Sequence, residues 1–204
     1  MKYILVAVAI ALILFTFTKK DPDIQTLHSQ NSILAFGDSI TYGYNAKPDE
    51  SYPAVLSTMT GLNVINAGIP AETSKEGLRR LAKHLEDPSI KLMLLCFGGN
   101  DMMQQVSMDV LKNNLKTMIQ MAKEKGIDVL LISIPNLTLF GLSPLFLYEE
   151  VANEENIPLI SGLLSKILSD PSLKSDQIHP NALGYRQMAE NIYENLKENG
   201  WIDK

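Results

Sequence analysis

Cysteine, histidine and tryptophan are the scarce residues of this 204-residue chain, and their scarcity narrows the chemistry. The single cysteine, Cys96, excludes an intramolecular disulfide framework and any multi-thiolate zinc site. The three histidines, His28, His84 and His179, are far apart in sequence, which argues against a histidine-built metal centre. No surplus of positive charge exists to draw the chain to nucleic acid, since the net charge is −5. Low-complexity tracts and internal repeats are absent as well. What remains, at 46% hydrophobic and 20% charged residues, is an ordinary globular composition, long enough for one domain with a substantial core.

The one long apolar run is at the start. Tyr3 to Thr18 is almost wholly apolar and is flanked by Lys2 and by Lys19-Lys20. It reads as an export signal or an N-terminal membrane anchor, with residues 1–20 as that element. The run is shorter than the ~20 residues a spanning helix prefers, but flanking lysines can reach the interface. The lack of an A-x-A cleavage pattern favours an uncleaved anchor, and hence a place in the periplasm or cell envelope. Three of the 18 basic residues and no acidic ones lie in this segment, so the remainder carries 15 basic against 23 acidic residues, net −8. Residues 21–31 are polar and aperiodic and read as a tether to a domain at 32–204.

Within that domain, strand and helix patterns alternate. Ser32–Phe36, Asn63–Asn66, Lys91–Phe97, Ile127–Ile134 and Ile157–Ile160 read as strands, the middle ones apolar enough to be buried on both faces. Helices are expected at Ser51–Thr60, after the capping box Thr73-x-x-Glu76 with Leu78, Leu81, Ala82 and Leu85 on one face, and around Leu145–Asn156. Two more are expected at Ser107–Lys125, with Leu111, Leu115, Met118, Ile119 and Ala122 on one stripe, and from Pro180 on, with Tyr185, Met188, Ala189, Ile192 and Leu196 facing inward. The alternation implies right-handed crossovers and a parallel sheet covered on both sides. Ligands bind beyond the carboxyl ends of such strands. Three of those ends carry Gly37-Asp38-Ser39, Asn66-Ala67-Gly68 and Gly98-Gly99-Asn100-Asp101, and Asp176-Gln177-Ile178-His179 precedes the last helix.

Together these segments supply the parts of an acyl-transfer site. A serine hydroxyl is a poor nucleophile without a base, and His179 is the best placed candidate for Ser39, because His28 lies in the tether and His84 in a helix turn expected to be exposed. Asp176 can bond one imidazole nitrogen and leave the other facing the serine. The N–H groups of Ser39 and Gly68 and the side-chain amide of Asn100 are candidate oxyanion donors. Asp38 is expected to bond backbone and shape the turn, and Cys96 to be a buried hydrophobe. G-x-S-x-G, S-x-x-K, H-E-x-x-H and P-loop signatures are missing.

In this order, Gly37-Asp38-Ser39, Gly68, Gly98-x-Asn100-Asp101 and Asp176-x-x-His179 resemble the four blocks of the SGNH (GDSL) hydrolases, from about Ile33 to Leu196. Asn66-Ala67-Gly68 followed by Thr73-Ser74 looks closest to the branch of thioesterase I/lysophospholipase L1-type esterases and arylesterases. Ile40 stands where that family commonly has leucine. The resemblance implies a three-layer α/β/α flavodoxin-like fold with a five-stranded parallel sheet, order 2-1-3-4-5, and no metal or organic cofactor. It implies Ser39 as nucleophile, His179 as base, Asp176 as its partner, and Gly68 and Asn100 as oxyanion donors. The expected substrates are small carboxylic esters or thioesters, including lipidic ones, and the expected state is a monomer or weak oligomer. A glycan O-deacetylase using the same triad and a non-enzymatic flavodoxin-like binding module are the alternatives. Leu137 to Tyr148 is apolar enough for either an acyl-binding wall or flap, or a helix packed on the sheet. Met102, Leu139 and Phe140 are the candidate substrate contacts, Met102 with Met103 because methionine adapts to varied acyl chains.

Overall fold

The computed structural model describes residues 24–139 and 141–203. The expected export element at 1–20, the start of the tether and Phe140 lie outside the described residues. Among those described, no helix is long and apolar enough to cross a membrane.

Five parallel strands form the sheet: β1 (Ser32–Gly37), β2 (Asn63–Gly68), β3 (Ile90–Cys96), β4 (Asp128–Ile132) and β7 (Leu159–Ile160), in the order β2-β1-β3-β4-β7. This is the expected 2-1-3-4-5 order. The fifth sheet strand is seventh in the chain because a two-stranded antiparallel hairpin, β5 (Pro135–Thr138) and β6 (Gly141–Pro144), intervenes. Register at the carboxyl ends pairs Gly37 with both Gly68 and Cys96, so the turns that follow β1, β2 and β3 emerge side by side.

The helices are α1 (Ser39–Tyr42), α2 (Tyr52–Thr60), α3 (Ser74–His84), α4 (Gly99–Met103), α5 (Met108–Glu124), α6 (Leu147–Glu155), α7 (Leu163–Ser169) and α8 (Ala182–Asn199). α2 and α7 pack with α8, while α5 packs with α3 and α6, giving the helical layers that cover the sheet. The apolar stripes are buried as their spacing predicts. Leu111, Leu115, Met118, Ile119 and Ala122 of α5, and Tyr185, Met188, Ala189, Ile192 and Leu196 of α8, all lie in the core. In α3 the buried face is Gly77, Leu81 and then Leu85, and Ala82 faces solvent instead of the sheet. Gly77 is there because a Cβ would stand 2.4 Å from the Phe97 ring.

Two expectations are corrected and one open alternative is decided. The last helix begins at Ala182, two residues after Pro180, because the Asn181 side chain caps it by accepting from the Gly184 N–H at 3.1 Å. Of the two readings open for Leu137 to Tyr148, the helix holds only from Leu147, because Pro144 and Gly141 at φ +108 interrupt a helical run and Pro135–Thr138 pairs with Gly141–Pro144 as a hairpin. The segment 21–31, expected as a tether, is joined to the domain from Gln25 on. Gln25 donates to Asp128 and Gly126, and the Leu27 N–H donates to Trp201 at 2.6 Å with the Leu27 side chain buried.

Candidate active site

The turn after β1 is shaped by Asp38, whose carboxylate accepts the Ile40 N–H at 3.0 Å and caps α1. This makes Ser39 the first residue of α1, at the carboxyl edge of the sheet. The turn carrying His179 is closed on itself: the Ser175 N–H bonds the His179 carbonyl at 2.9 Å, and Asn181 donates to the carbonyl of Ser172 at 2.8 Å. These two turns, 140 residues apart in sequence, meet at one contact, His179 Nε2 to Ser39 Oγ at 3.0 Å.

Asp176 completes the series. Its Oδ2 lies 2.8 Å from His179 Nδ1, and its Oδ1 accepts the N–H groups of Ile178 and His179, each at 2.8 Å. Partial burial pushes this carboxyl up, but the bonds from the Ile178 N–H, the His179 ring and the His179 N–H outweigh it and hold the group below its ordinary range. A carboxylate can only accept, so Nδ1 carries the proton of a neutral imidazole and the Nε2 lone pair is left for the serine hydroxyl. Two further contacts went unnoticed in the sequence. The Asn45 amide donates to Asp176 Oδ2 at 2.9 Å, and the Tyr44 ring packs 4.7 Å from the imidazole, held by the Tyr185 hydroxyl on its carbonyl. Asn45 has φ +64, a conformation asparagine tolerates better than most residues.

Asn100 comes two residues after Gly98, which is fixed as glycine by φ +126 and by the Tyr148 hydroxyl 2.3 Å from where a Cβ would be. The Asn100 amide donates to the Glu72 carbonyl at 3.0 Å and, over a longer 3.3 Å, to Asp38 Oδ2. Asp101 faces away from this amide: it is fully buried and accepts from the Ser74 N–H and hydroxyl, joining α4 to the start of α3. Asp38 is buried too, and desolvation, with repulsion from Asp101 and Glu72, pushes its carboxyl up to about 7 against the Ile40 bond.

Gly68 does not serve as expected. Its N–H donates to Asn66 Oδ1 at 3.0 Å, and a Cβ there would lie 2.1 Å from the Tyr42 nitrogen, so this glycine is required for β2 to approach α1. The neighbouring turn offers a different donor. Ile69-Pro70-Ala71-Glu72 closes with the Glu72 N–H on the Ile69 carbonyl, proline second and Ala71 third at φ +65, the arrangement of a type II turn. Pro70 was the available sequence signal, but alanine stands where such a turn normally has glycine. Among the described residues, neither the Ala71 nor the Ser39 N–H has an acceptor.

Beside Ser39 and His179 opens a cavity of about 260 Å³, lined by Ile40, Met102, Ile134, Leu142, Leu164 and Ile178 among others. Met102 is therefore where it was expected. Leu139 is not: it follows Thr138, which pairs with Gly141 at the end of the hairpin, and is 99% exposed. Leu142 and Pro135, on the strands, line the cavity in its place. A larger hollow of about 450 Å³ lies by Ile24, Asp128 and Trp201 and contains none of these groups. Cys96 is buried, its thiol pushed well up by desolvation. His84 is half-buried against Phe36, with ring centroids 5.7 Å apart. Among the described residues no cluster of histidine, cysteine, aspartate and glutamate could hold a metal ion.

A five-stranded parallel sheet with a serine, histidine and aspartate in hydrogen-bonded series at its carboxyl edge defines a class, the serine hydrolases of the GDSL type. The chain belongs to the GDSL-like Lipase/Acylhydrolase family, whose sequence profile matches residues 35–187. It is 27% identical to an arylesterase of Vibrio mimicus over 178 residues, 82% of this chain and 89% of that one. It is 28% identical to the thioesterase 1/protease 1/lysophospholipase L1 of Escherichia coli strain K12 over 158 residues, 74% and 76% of the two chains. The crystal structure of TesA superposes with a TM-score of 0.74 at 27% identity, covering 83% of this chain and 99% of that one. The protein is an ester-hydrolysing serine hydrolase acting on small-molecule esters.

Proposed function

We propose that the enzyme hydrolyses carboxylic esters and thioesters through an acyl-enzyme on Ser39. His179 Nε2 takes the serine proton as Oγ attacks the carbonyl carbon, and the imidazolium then protonates the leaving alcohol or thiol. Asp176 holds the imidazole in the required tautomer and stabilises its positive charge. Water repeats the sequence and releases the acid. The Ser39 and Ala71 N–H groups are assigned to the developing oxyanion in place of Gly68, joined by the Asn100 amide hydrogen that makes the long 3.3 Å bond to Asp38 and is exchanged to the oxyanion. The observation that carries this reading is the Asp176–His179–Ser39 series at 2.8 and 3.0 Å.

The apolar cavity supports an acyl group of short to medium length and suits a polar glycan poorly. We further propose that residues 3–18 hold the domain at a membrane in the cell envelope. Gln25 is bonded at the start of β4, whereas Ser39 follows the end of β1, so chain entry and cleft lie at opposite ends of the sheet. Residues 19–23, at no more than ~3.6 Å each, make a short link that joins the domain at the end away from the cleft. This arrangement favours substrates that arrive from the aqueous side.

Labelling by a fluorophosphonate tests the mechanism. Ser39 is expected to be modified, with labelling abolished in Ser39→Ala and slowed in His179→Ala. Folded wild-type protein that is not labelled at Ser39 would overturn the assignment.

A further inference from the structure

We infer that Arg80 is a positioning residue for this reaction: its guanidinium grips Glu72 and the Gly37 and Ala67 carbonyls at the ends of β1 and β2, and so holds the turn bearing the Ala71 donor against Ser39. The inference deepens the esterase reading and rests on it.

Arg80 lies within α3, one residue before buried Leu81, with its side chain only 20% exposed. Almost all of its donors are engaged. Nε bonds both Glu72 oxygens, at 2.8 and 2.9 Å, and Nη2 bonds Glu72 Oε2 at 2.6 Å. The same Nη2 reaches the carbonyls of Ala67 at 2.8 Å and Gly37 at 3.3 Å, and Nη1 lies 3.4 Å from His84 Nε2. The guanidinium stands 4.3 Å from the centre of the Phe36 ring. A planar fork that stacks on an aromatic and bonds several oxygens at once is a task for arginine, and lysine, a point charge, cannot reproduce it.

The groups it joins are those the site depends on. Gly37 is two residues before Ser39. Ala67 is one residue before the end of β2. Glu72 closes the turn that presents the Ala71 N–H, and the Glu72 carbonyl accepts the Asn100 amide. That turn needs outside support, because β2 is an edge strand paired only with β1 and the turn's own closing bond is long at 3.4 Å. Ala71 at φ +65 adds a tendency to relax away from this conformation. A largely buried ion pair adds little net stability over an apolar replacement but fixes one geometry, which is what oxyanion donors require.

The test measures kcat and KM for p-nitrophenyl butyrate and the rate of fluorophosphonate labelling, with thermal melting alongside. Arg80→Gln and Glu72→Gln should each lower kcat about 10- to 100-fold with KM changed less than about threefold, as expected for donors moved by a fraction of an ångström. Arg80→Lys should lose nearly as much, the double variant should be no worse than Arg80→Gln alone, and guanidinium ion should partly restore Arg80→Ala. Arg79→Gln, at an exposed neighbour, should leave activity unchanged. If Arg80→Gln fails to fold, Glu72→Gln and Arg80→Lys carry the test. A kcat within about twofold of wild type in the Glu72 variant or a folded Arg80 variant, losses that multiply in the double variant, or a rise in KM alone would overturn the inference. Wild-type enzyme unlabelled at Ser39 would instead mean that the reading of the site has failed.

Discussion

Replacing Asp176 by asparagine changes one oxygen to an amide nitrogen at nearly constant shape, and the structure dictates which oxygen. Oδ1 receives two backbone N–H groups, from Ile178 and His179, both at 2.8 Å. An amide nitrogen cannot replace it there, since donor would face donor twice. The new –NH2 must therefore take the Oδ2 position, facing His179 Nδ1 at 2.8 Å and the Asn45 amide at 2.9 Å. It can only donate, so Nδ1 becomes an acceptor and the ring proton moves to Nε2, which then points a hydrogen at Ser39 Oγ. The base is lost while Ser39, the oxyanion donors and the acyl cavity stay in place. The loss of tautomer control predicts a fall in kcat of about 10⁴, or ~5 kcal/mol in the barrier, with KM nearly unchanged. Steady-state hydrolysis of p-nitrophenyl butyrate at pH 7.5, together with a thermal melt to establish folding, measures it. A folded Asp176→Asn variant with kcat within tenfold of wild type would refute this account of the turn.

Other perturbations follow from the same geometry. Asn45→Gly keeps the positive φ and removes one of four bonds to the Asp176 carboxylate; a loss of about 1 kcal/mol, roughly fivefold in kcat, is expected, and an unchanged kcat would make that contact incidental. Gly68→Ala places a methyl 2.1 Å from the Tyr42 nitrogen and should cost about 1–3 kcal/mol in denaturant unfolding, with activity reduced as α1 shifts; wild-type stability would contradict the packing argument. Asp38 sets a pH dependence. Its carboxyl is near 7 when folded and about 3.9 when unfolded, so the folded state binds more protons across that window and stability falls as pH rises through it, by up to about 1.4 kcal/mol per unit. Asp176, held low, works in the opposite sense only below about pH 4. Unfolding midpoints at pH 5 and 7 should differ less in Asp38→Asn than in wild type, and an equal difference would count against Asp38 as the source.

Much of the fold was legible because it rests on local chemistry. Apolar runs of strand length, stripes at helical spacing on α5 and α8 and the capping residues of α3 each act over a few neighbouring residues. The order of the sheet came by resemblance, and the crossover rule agrees with it. Where reading faltered, distant partners decided. Pro135 and Gly141 could be seen to resist a helix, but only pairing across β5 and β6 turned the apolar stretch into a hairpin and left Leu139 exposed. Leu27 looked like part of a tether until Trp201 was placed beside it.

The site divides in the same way. Ser39, Asn100, Asp176 and His179 were readable because side-chain chemistry identifies a nucleophile, an amide donor, an acid and a base, and three histidines left few choices. Their sequence alone determined that the chain carries an ester-hydrolysing constellation on a parallel sheet. Backbone donors carry no such signature: every residue except proline has an N–H, and its direction depends on φ, ψ and neighbours. Only the tertiary structure occupied the Gly68 N–H with Asn66, freed that of Ala71, and brought Asn45 to Asp176 and Arg80 to the ends of two strands. Those are contacts between segments, decided by how the layers pack.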